Sequence, residues 1–246
     1  MIVLGVIAAL PAEARAFTGR DLGPDQFYRW DTTLVHVSGM GAGRAKRSAQ
    51  MLLMEGAQAL VSWGTAGALV PELETGNLVL PEVVVDPTVK HLSVDQIWCR
   101  RIGSSLGASL VWQHGKIAHA KDVVAAPTQK ARLRDQTDAI AVDMESAAVG
   151  EAAMRAGVPF VVIRSIVDPC SLTIPRSASL SVDAYGRTQS LKLITALLRA
   201  PSEVIGLIRC GLAFRTALAT LVTVAKRVGP ELCYRPGSFT NERAHE

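Results

Sequence analysis

Residues 139–168 read AIAVDMESAAVGEAAMRAGVPFVVIRSIVD. Ala139–Val142 is a short apolar run, Met144–Ala156 is an alanine-rich helical stretch, and Phe160–Ile166 is a β-branched run. Two apolar strands joined by a helix make a crossover unit, and crossovers place strands in parallel. The same alternation extends outward in both directions. Further strands are expected at Ile2–Ala8, Thr33–Val37, Ala59–Ser62, Leu78–Val85, Leu110–Gln113 and Lys116–Ala118. Further helices are expected at Gly43–Glu55, Pro127–Asp135, Ser181–Leu198 and Glu203–Val228. The pattern predicts an α/β chain with a largely parallel sheet. Two strands are expected to run into glycine-rich turns, GMGAG (39–43) after Val37 and GTAG (64–67) after Ser62. Ligands in such sheets bind beyond the carboxyl ends of the strands.

Composition narrows the function classes. A chain of 246 residues with 49% apolar and 20% charged residues can bury one large core and is not a disordered chain. Aromatics are sparse at 5%, which suits buried strands under small-residue helices. Cys99, Cys170, Cys210 and Cys233 are scattered, with no CxxC pair, and His36, His91, His114, His119 and His245 lack metal-ligand spacing. Neither a disulfide framework nor a metal site is expected, no cofactor is called for, and a reducing cytoplasm is the expected setting. The first residues, MIVLGVIAAL, lack a basic start and read as a strand rather than a signal peptide. Between Arg199 and Pro230, five cations stand against Glu203 alone, which accounts for the whole net charge of +4. The rest of the chain is nearly neutral, so no nucleic-acid partner is expected.

Three acids stand where strands run out: Glu13 in AALPAEA, Glu145 in AIAVDMESAAV and Asp168 at the end of FVVIRSIVD. Each has a plain structural reading. Glu13 and Glu145 could serve helix first turns, and Asp168 could pair with Arg164, four residues earlier on the same strand face. Their joint occurrence at strand ends points to a site. GMGAGR alone is a weak dinucleotide signal, because the third glycine is misplaced.

Six segments occur in order: GVIAALPAEA (5–14), SGMGAGRA (38–45), WGTAGAL (63–69), LETGNLVLPE (73–82), IAVDMESAAV (140–149) and PFVVIRSIVD (159–168). Together they resemble the signature segments of the purine nucleoside phosphorylase superfamily. The resemblance is strongest to its nucleosidase branch, which hydrolyses methylthioadenosine and adenosylhomocysteine. It runs from Met1 to about Leu198 and implies a three-layer α/β sandwich with a central mixed, mostly parallel sheet, usually in a homo-oligomer. It implies a small-molecule nucleoside substrate and roles for particular residues. Asp168 would be the acid that protonates the purine at N7. Glu145, with Met144 and Asp143, would hold the ribose. Arg164 would steady the carboxylates, and Glu13 would deprotonate the attacking water. Thr65, Ala66 and Gly67 would line the pocket, Val124 and Ala125 would flank the base, and Leu10 and Met40 would sit near the ribose.

The chemistry asks for such a set. A purine anion is a poor leaving group, so protonating it is worth roughly 10²–10⁴-fold. A carboxylate bonded to the sugar hydroxyls stabilises the oxocarbenium-like transition state more than the substrate. A second carboxylate can activate water on the opposite face. Phosphate as acceptor would need nearby arginines. The position where the phosphorylase branch carries one, two residues before the first glycine of GTAG, is Ser62 here, and Glu13 would repel phosphate. Hydrolysis is therefore expected, with Arg44 the residue that could favour a phosphorylase. A non-catalytic nucleoside-binding module is a further alternative.

Some positions depart from the nucleosidases. Val167 replaces a small hydroxyl residue, Pro169-Cys170-Ser171 follows the acid, and no aromatic stands at Val124 or Ala125. These point away from methylthioadenosine or adenosylhomocysteine as the substrate. The organisation expected is a catalytic domain over residues 1–200 and an apolar basic extension over residues 201–246, ending in a loose tail from Cys233. The extension is interrupted by Arg209, Arg215 and Lys226, and its longest charge-free run is Thr216–Ala225. It reads as one amphipathic helix or two short ones, packed on the core or at an oligomer interface, or peripheral to a membrane. From LLRAPSEVIGLIR (197–209) onward it resembles the tail of nucleosidases associated with hopanoid biosynthesis. That resemblance implies a lipid-linked adenosine.

Overall fold

The computed structural model describes residues 4–86, 89–107, 110–175, 183–186 and 203–235. In chain order the elements are β1 (Leu4–Ala8), α1 (Pro11–Thr18), β2 (Phe27–Trp30), β3 (Thr33–Val37), α2 (Ala42–Met54), β4 (Ala59–Ala68), β5 (Leu78–Val79), β6 (Val83–Asp86), β7 (Val89–Ser93), α3 (Gln96–Leu106), β8 (Trp112–Gln113), β9 (Lys116–His119), α4 (Pro127–Thr137), β10 (Ala141–Asp143), α5 (Ser146–Ala156), β11 (Phe160–Asp168) and α6 (Val204–Val228). The strands form one mixed sheet, its main path running β2-β3-β1-β4-β10-β9-β6-β7, with β11 on β4 and β5, and β8 on β5. The central pairings β1–β3, β1–β4 and β4–β11 are parallel. Antiparallel pairs lie at β2–β3, β6–β7, β4–β10 and β5–β11.

Strands β1 and β3 bury every residue, so both sheet faces are covered. Helices α2 and α5 pack on one another, and α6 packs on α1, α3 and β11. The outcome is the expected α/β layering.

Several expectations shift, each for a physical reason. Leu78–Val85 is two strands rather than one, because Pro81 has no N–H to donate where the chain changes partners from β11 to β9. GTAG is not a turn: β4 continues through it to Ala68. GMGAG does turn, with Gly39 and Gly41 at φ of 79° and 97° leading into α2. Helices α1 and α3 and strands β2 and β7 lie in stretches where no element was expected. Helix α3 is capped by the Asp95 carboxylate, which accepts from the Trp98 N–H (2.9 Å).

Of the helix expected at Ser181–Leu198, only residues 183–186 are described. They form a turn, in which the Gly186 N–H donates to Asp183 C=O (3.0 Å). The rest, like Ile2 and Val3 of the first strand, lies outside the described residues. The tail is tied down as far as Arg235, the last described residue. Trp98 Nε1 donates to Leu232 C=O (2.6 Å), and the Tyr234 ring lies 4.8 Å from that of Trp98.

The carboxyl-terminal helix is one continuous element. Ala217, Leu221, Val224, Ala225 and Val228 of α6 are buried. By length and composition α6 is apolar enough to cross a membrane. Its second half instead joins the core, where Leu221, Val224 and Ala225 pack with the sheet residues.

One irregularity matters for everything that follows. Along β11, Ile166 sits opposite Ala66 and Asp168 opposite Gly67, so Val167 is an extra residue. Such a bulge reverses the alternation of side chains beyond it.

Candidate active site

A cleft of about 210 Å³ opens where β1, β4, β10 and β11 end. Leu10, Glu13, Met40, Thr65, Ala66, Gly67, Val124, Asp143, Met144, Glu145 and Asp168 all line it, so segments far apart in the chain converge here. Two expected residues do not line it. Arg164 is buried behind the cleft. Ala125 turns its carbonyl to the Ile174 N–H (3.0 Å), and Val123, two residues earlier, lines the wall with Val124.

Glu13 is held by α1 and β4 together. Pro11 starts the helix, and Glu13 at its third position accepts from the Leu10 N–H (3.0 Å), a capping bond near the positive end of the helix dipole. Its other oxygen accepts from Thr65 N–H and Thr65 Oγ, both at 2.8 Å. Burial raises the Glu13 pKa, and the Arg164 charge and these hydrogen bonds oppose that rise.

The glycines of GTAG explain themselves here. A Cβ on Gly64 would lie 2.8 Å from the Glu13 carboxyl, and one on Gly67 would lie 3.1 Å from both Asp168 oxygens. These glycines let each carboxylate lie against the strand. Gly64→Ala is expected to push Glu13 off Thr65 and, with the fold intact, to lower kcat/KM for the base release that the resemblance implies on the order of 10²-fold. Steady-state kinetics alongside a melting curve check this.

Glu145 precedes α5 as its N-cap, and its Oε1 accepts from the N–H of Gly41, the N-cap of α2 (2.8 Å). Burial first, and the neighbouring Asp143 second, raise its pKa to about 7, with Arg164 opposing. Arg164 reaches Asp143 through Nε (2.7 Å) and Nη2 (2.6 Å), and Nη2 stands 4.0 Å from Glu145 Oε2. Nη2 also donates to Ser62 Oγ (2.8 Å) and Ser146 Oγ (3.1 Å), while Ser146 Oγ bonds Asp143. The guanidinium therefore serves two carboxylates, Asp143 directly and Glu145 at 4.0 Å, and Ser62 Oγ accepts from it.

Asp168 does not pair with Arg164. The Val167 bulge turns it to the other side of β11, where its Oδ2 meets Lys130 Nζ at 2.5 Å. Burial raises its pKa, and the lysine charge pulls the other way. Lys130 lies on α4, in a helix whose pattern looks like a solvated charged face, and nothing in PTQKARLRDQT marks it as buried. Val123, Val142 and Ile174 were likewise not anticipated and, with Val167, make the lining largely aliphatic.

Among the described residues, no lysine, arginine or histidine lines the cleft. Arg44 is exposed and lies over Gly39. The arrangement offers buried carboxylates able to hold a proton, bond hydroxyls and polarise water, and, among the described residues, no cation on its wall to bind phosphate.

Residues 5–200 match the family described as the phosphorylase superfamily. A 5′-methylthioadenosine/S-adenosylhomocysteine nucleosidase of Marinomonas sp. (strain MWYL1) is 26% identical, over 78% of this chain and 97% of that protein. Among solved structures, the nucleosidase of that name from Neisseria meningitidis, in complex with methylthio-immucillin-A, superposes with a TM-score of 0.69 at 18% identity, covering 93% of this chain and 99% of that one. The futalosine hydrolase of Helicobacter pylori superposes with a TM-score of 0.64 at 17% identity, covering 92% and 97%. At these identities the structural likeness speaks for the fold.

Proposed function

The chain belongs to the phosphorylase superfamily, and from that membership we propose that it is a purine nucleosidase, an enzyme that hydrolyses the N-glycosidic bond of a purine nucleoside. The observation that carries the reading is one cleft in which Glu13, Glu145 and Asp168 converge and whose wall, among the described residues, holds no lysine, arginine or histidine for phosphate. Asp168 gives its proton to N7 of the base. The C1′–N9 bond breaks with its electron pair going to nitrogen. Water adds to C1′ and leaves its proton on Glu13. Glu145 bonds the ribose hydroxyls and stabilises the positive charge that grows on the sugar.

The substrate we propose is an adenosine with an apolar 5′-substituent, a lipid-linked adenosine such as adenosylhopane. The aliphatic lining favours it over the small sulfur nucleosides. So does the surface of α6, where Ile205, Ile208 and Leu212 are 64%, 59% and 58% exposed beside Arg209. Gly206 approaches Pro175 so closely that a Cβ would lie 2.7 Å from its ring, next to Ile174 of the cleft. Residues 201–246 are then an extension whose apolar, basic half contacts the inner membrane face of the cytoplasm. The homo-oligomer that the resemblance implies belongs to the same proposal.

The test is a panel of adenosine derivatives, incubated with and without phosphate while free adenine is followed. Adenine should appear without phosphate, fastest from apolar 5′-substituted substrates. Ribose-1-phosphate as product would make the enzyme a phosphorylase. Efficient turnover of methylthioadenosine, with apolar derivatives ignored, would end the lipid-linked reading.

A further inference from the structure

Lys130 is a buried cation in contact with the acid, and the reaction above gives it no role. Its ammonium has three donors, and three acceptors surround it: Asp168 Oδ2 (2.5 Å), Pro169 C=O (2.7 Å) and Leu172 C=O (3.4 Å). All three belong to the segment that begins at the acid and reaches Ile174 on the cleft wall. The side chain is 1% exposed, so its charge is kept out of water and must be answered within the protein. Lys130 does not line the cleft, and every proton it carries is engaged, so it is not itself the donor to a substrate.

The pairing leaves Asp168 asymmetric. Oδ2 is held by the ammonium, which makes no bond to Oδ1, and both oxygens lie against Gly67 on the cleft wall. A carboxylic acid that gives up its proton in a site poor in water becomes an unsolvated anion. That developing charge needs a fixed partner. The lysine is already in place and need not move when the charge appears. It works against burial, which favours the neutral acid, and so sets how readily the proton leaves.

We propose that Lys130 is a positioning residue for the acid: it orients Asp168 toward the base and stabilises the carboxylate left when the proton passes to N7. This rests on the nucleosidase reading. The proton moves from Asp168 to the purine, the C1′–N9 electron pair goes to the base, and Lys130 keeps its own protons throughout.

The experiment compares wild-type protein with K130M, K130Q and K130R. The readouts are the pH profile of kcat/KM with an adenosine substrate and a 13C NMR titration of the Asp168 carboxyl without substrate. Removing the charge should move the basic limb of the profile, where Asp168 loses its proton, about one to three units upward. In the same variants kcat should fall by about 10²-fold, with KM within a few-fold of wild type. The Asp168 titration should move up with the limb. K130R keeps the charge and should stay near the wild-type limb. K130Q stands in for K130M should the latter not fold. An unmoved limb and an unmoved Asp168 titration in K130Q would overturn the proposal, as would a loss of kcat as large in K130R as in K130Q. A wild-type enzyme that releases no base from any purine nucleoside defeats the nucleosidase reading instead. The substrate-free titration still reports on the lysine in that case.

Discussion

Asp168→Asn is expected to slow base release by about 10²–10⁴-fold while leaving nucleoside binding largely intact. The two side chains have the same shape, and an amide oxygen can still accept from Lys130 Nζ. What the amide lacks is a proton to give to N7 and a negative charge to leave behind. Purines are poor leaving groups unless protonated, so the loss should appear in kcat far more than in KM. The buried ammonium also loses its counter-charge, and a buried pair broken on one side costs about 3–5 kcal/mol. A lower melting temperature is therefore expected, and the kinetics belong at a temperature where the variant is folded. Calorimetric titration with an adenosine ligand separates binding from chemistry. Turnover close to that of the wild type would remove Asp168 from the acid role.

Glu13→Gln should come close to it in size. Glu13 accepts from the Leu10 N–H and from both donors of Thr65, which leaves its oxygens as acceptors only. A glutamine brings two donors into that set, so one of them must face a donor or turn away. It also cannot take a proton from water. The expected loss is about 10²–10⁴-fold in kcat. A further variant distinguishes loss of the base from disorder in the cleft. Glu13→Ala leaves space on the cleft wall, and azide, which needs no deprotonation to attack C1′, should restore turnover and give a ribosyl azide. Failure of azide to restore Glu13→Ala, with nucleoside binding retained, would count against a role in activating water.

Much of this site was legible in the chain. The three acids, the two glycine segments and the alternation of strand and helix are local features, and local features survive in a one-dimensional reading. Burial of a β-branched run and an N-terminal proline in a helix follow from residue type. The resemblance of six ordered segments supplied the grouping of Glu13, Glu145 and Asp168, and the cleft brings those three together.

Tertiary structure decided the pairings. Alternation along FVVIRSIVD puts Arg164 and Asp168 on one face, and the single extra residue Val167 sends them to different partners, Asp143 and Lys130. GTAG has the composition of a turn, yet it is a strand, because its glycines answer the close approach of two carboxylates from other elements. Lys130 could not be picked out at all: its burial depends on where α4 lands against the segment after β11, a contact 38 residues away in the chain. The residues of the chain determined which chemistry is present and which elements carry it. Which charge faces which was set only when the sheet brought distant strand ends together, because ion pairs in a buried site depend on through-space distance and on a one-residue register that no periodic pattern records.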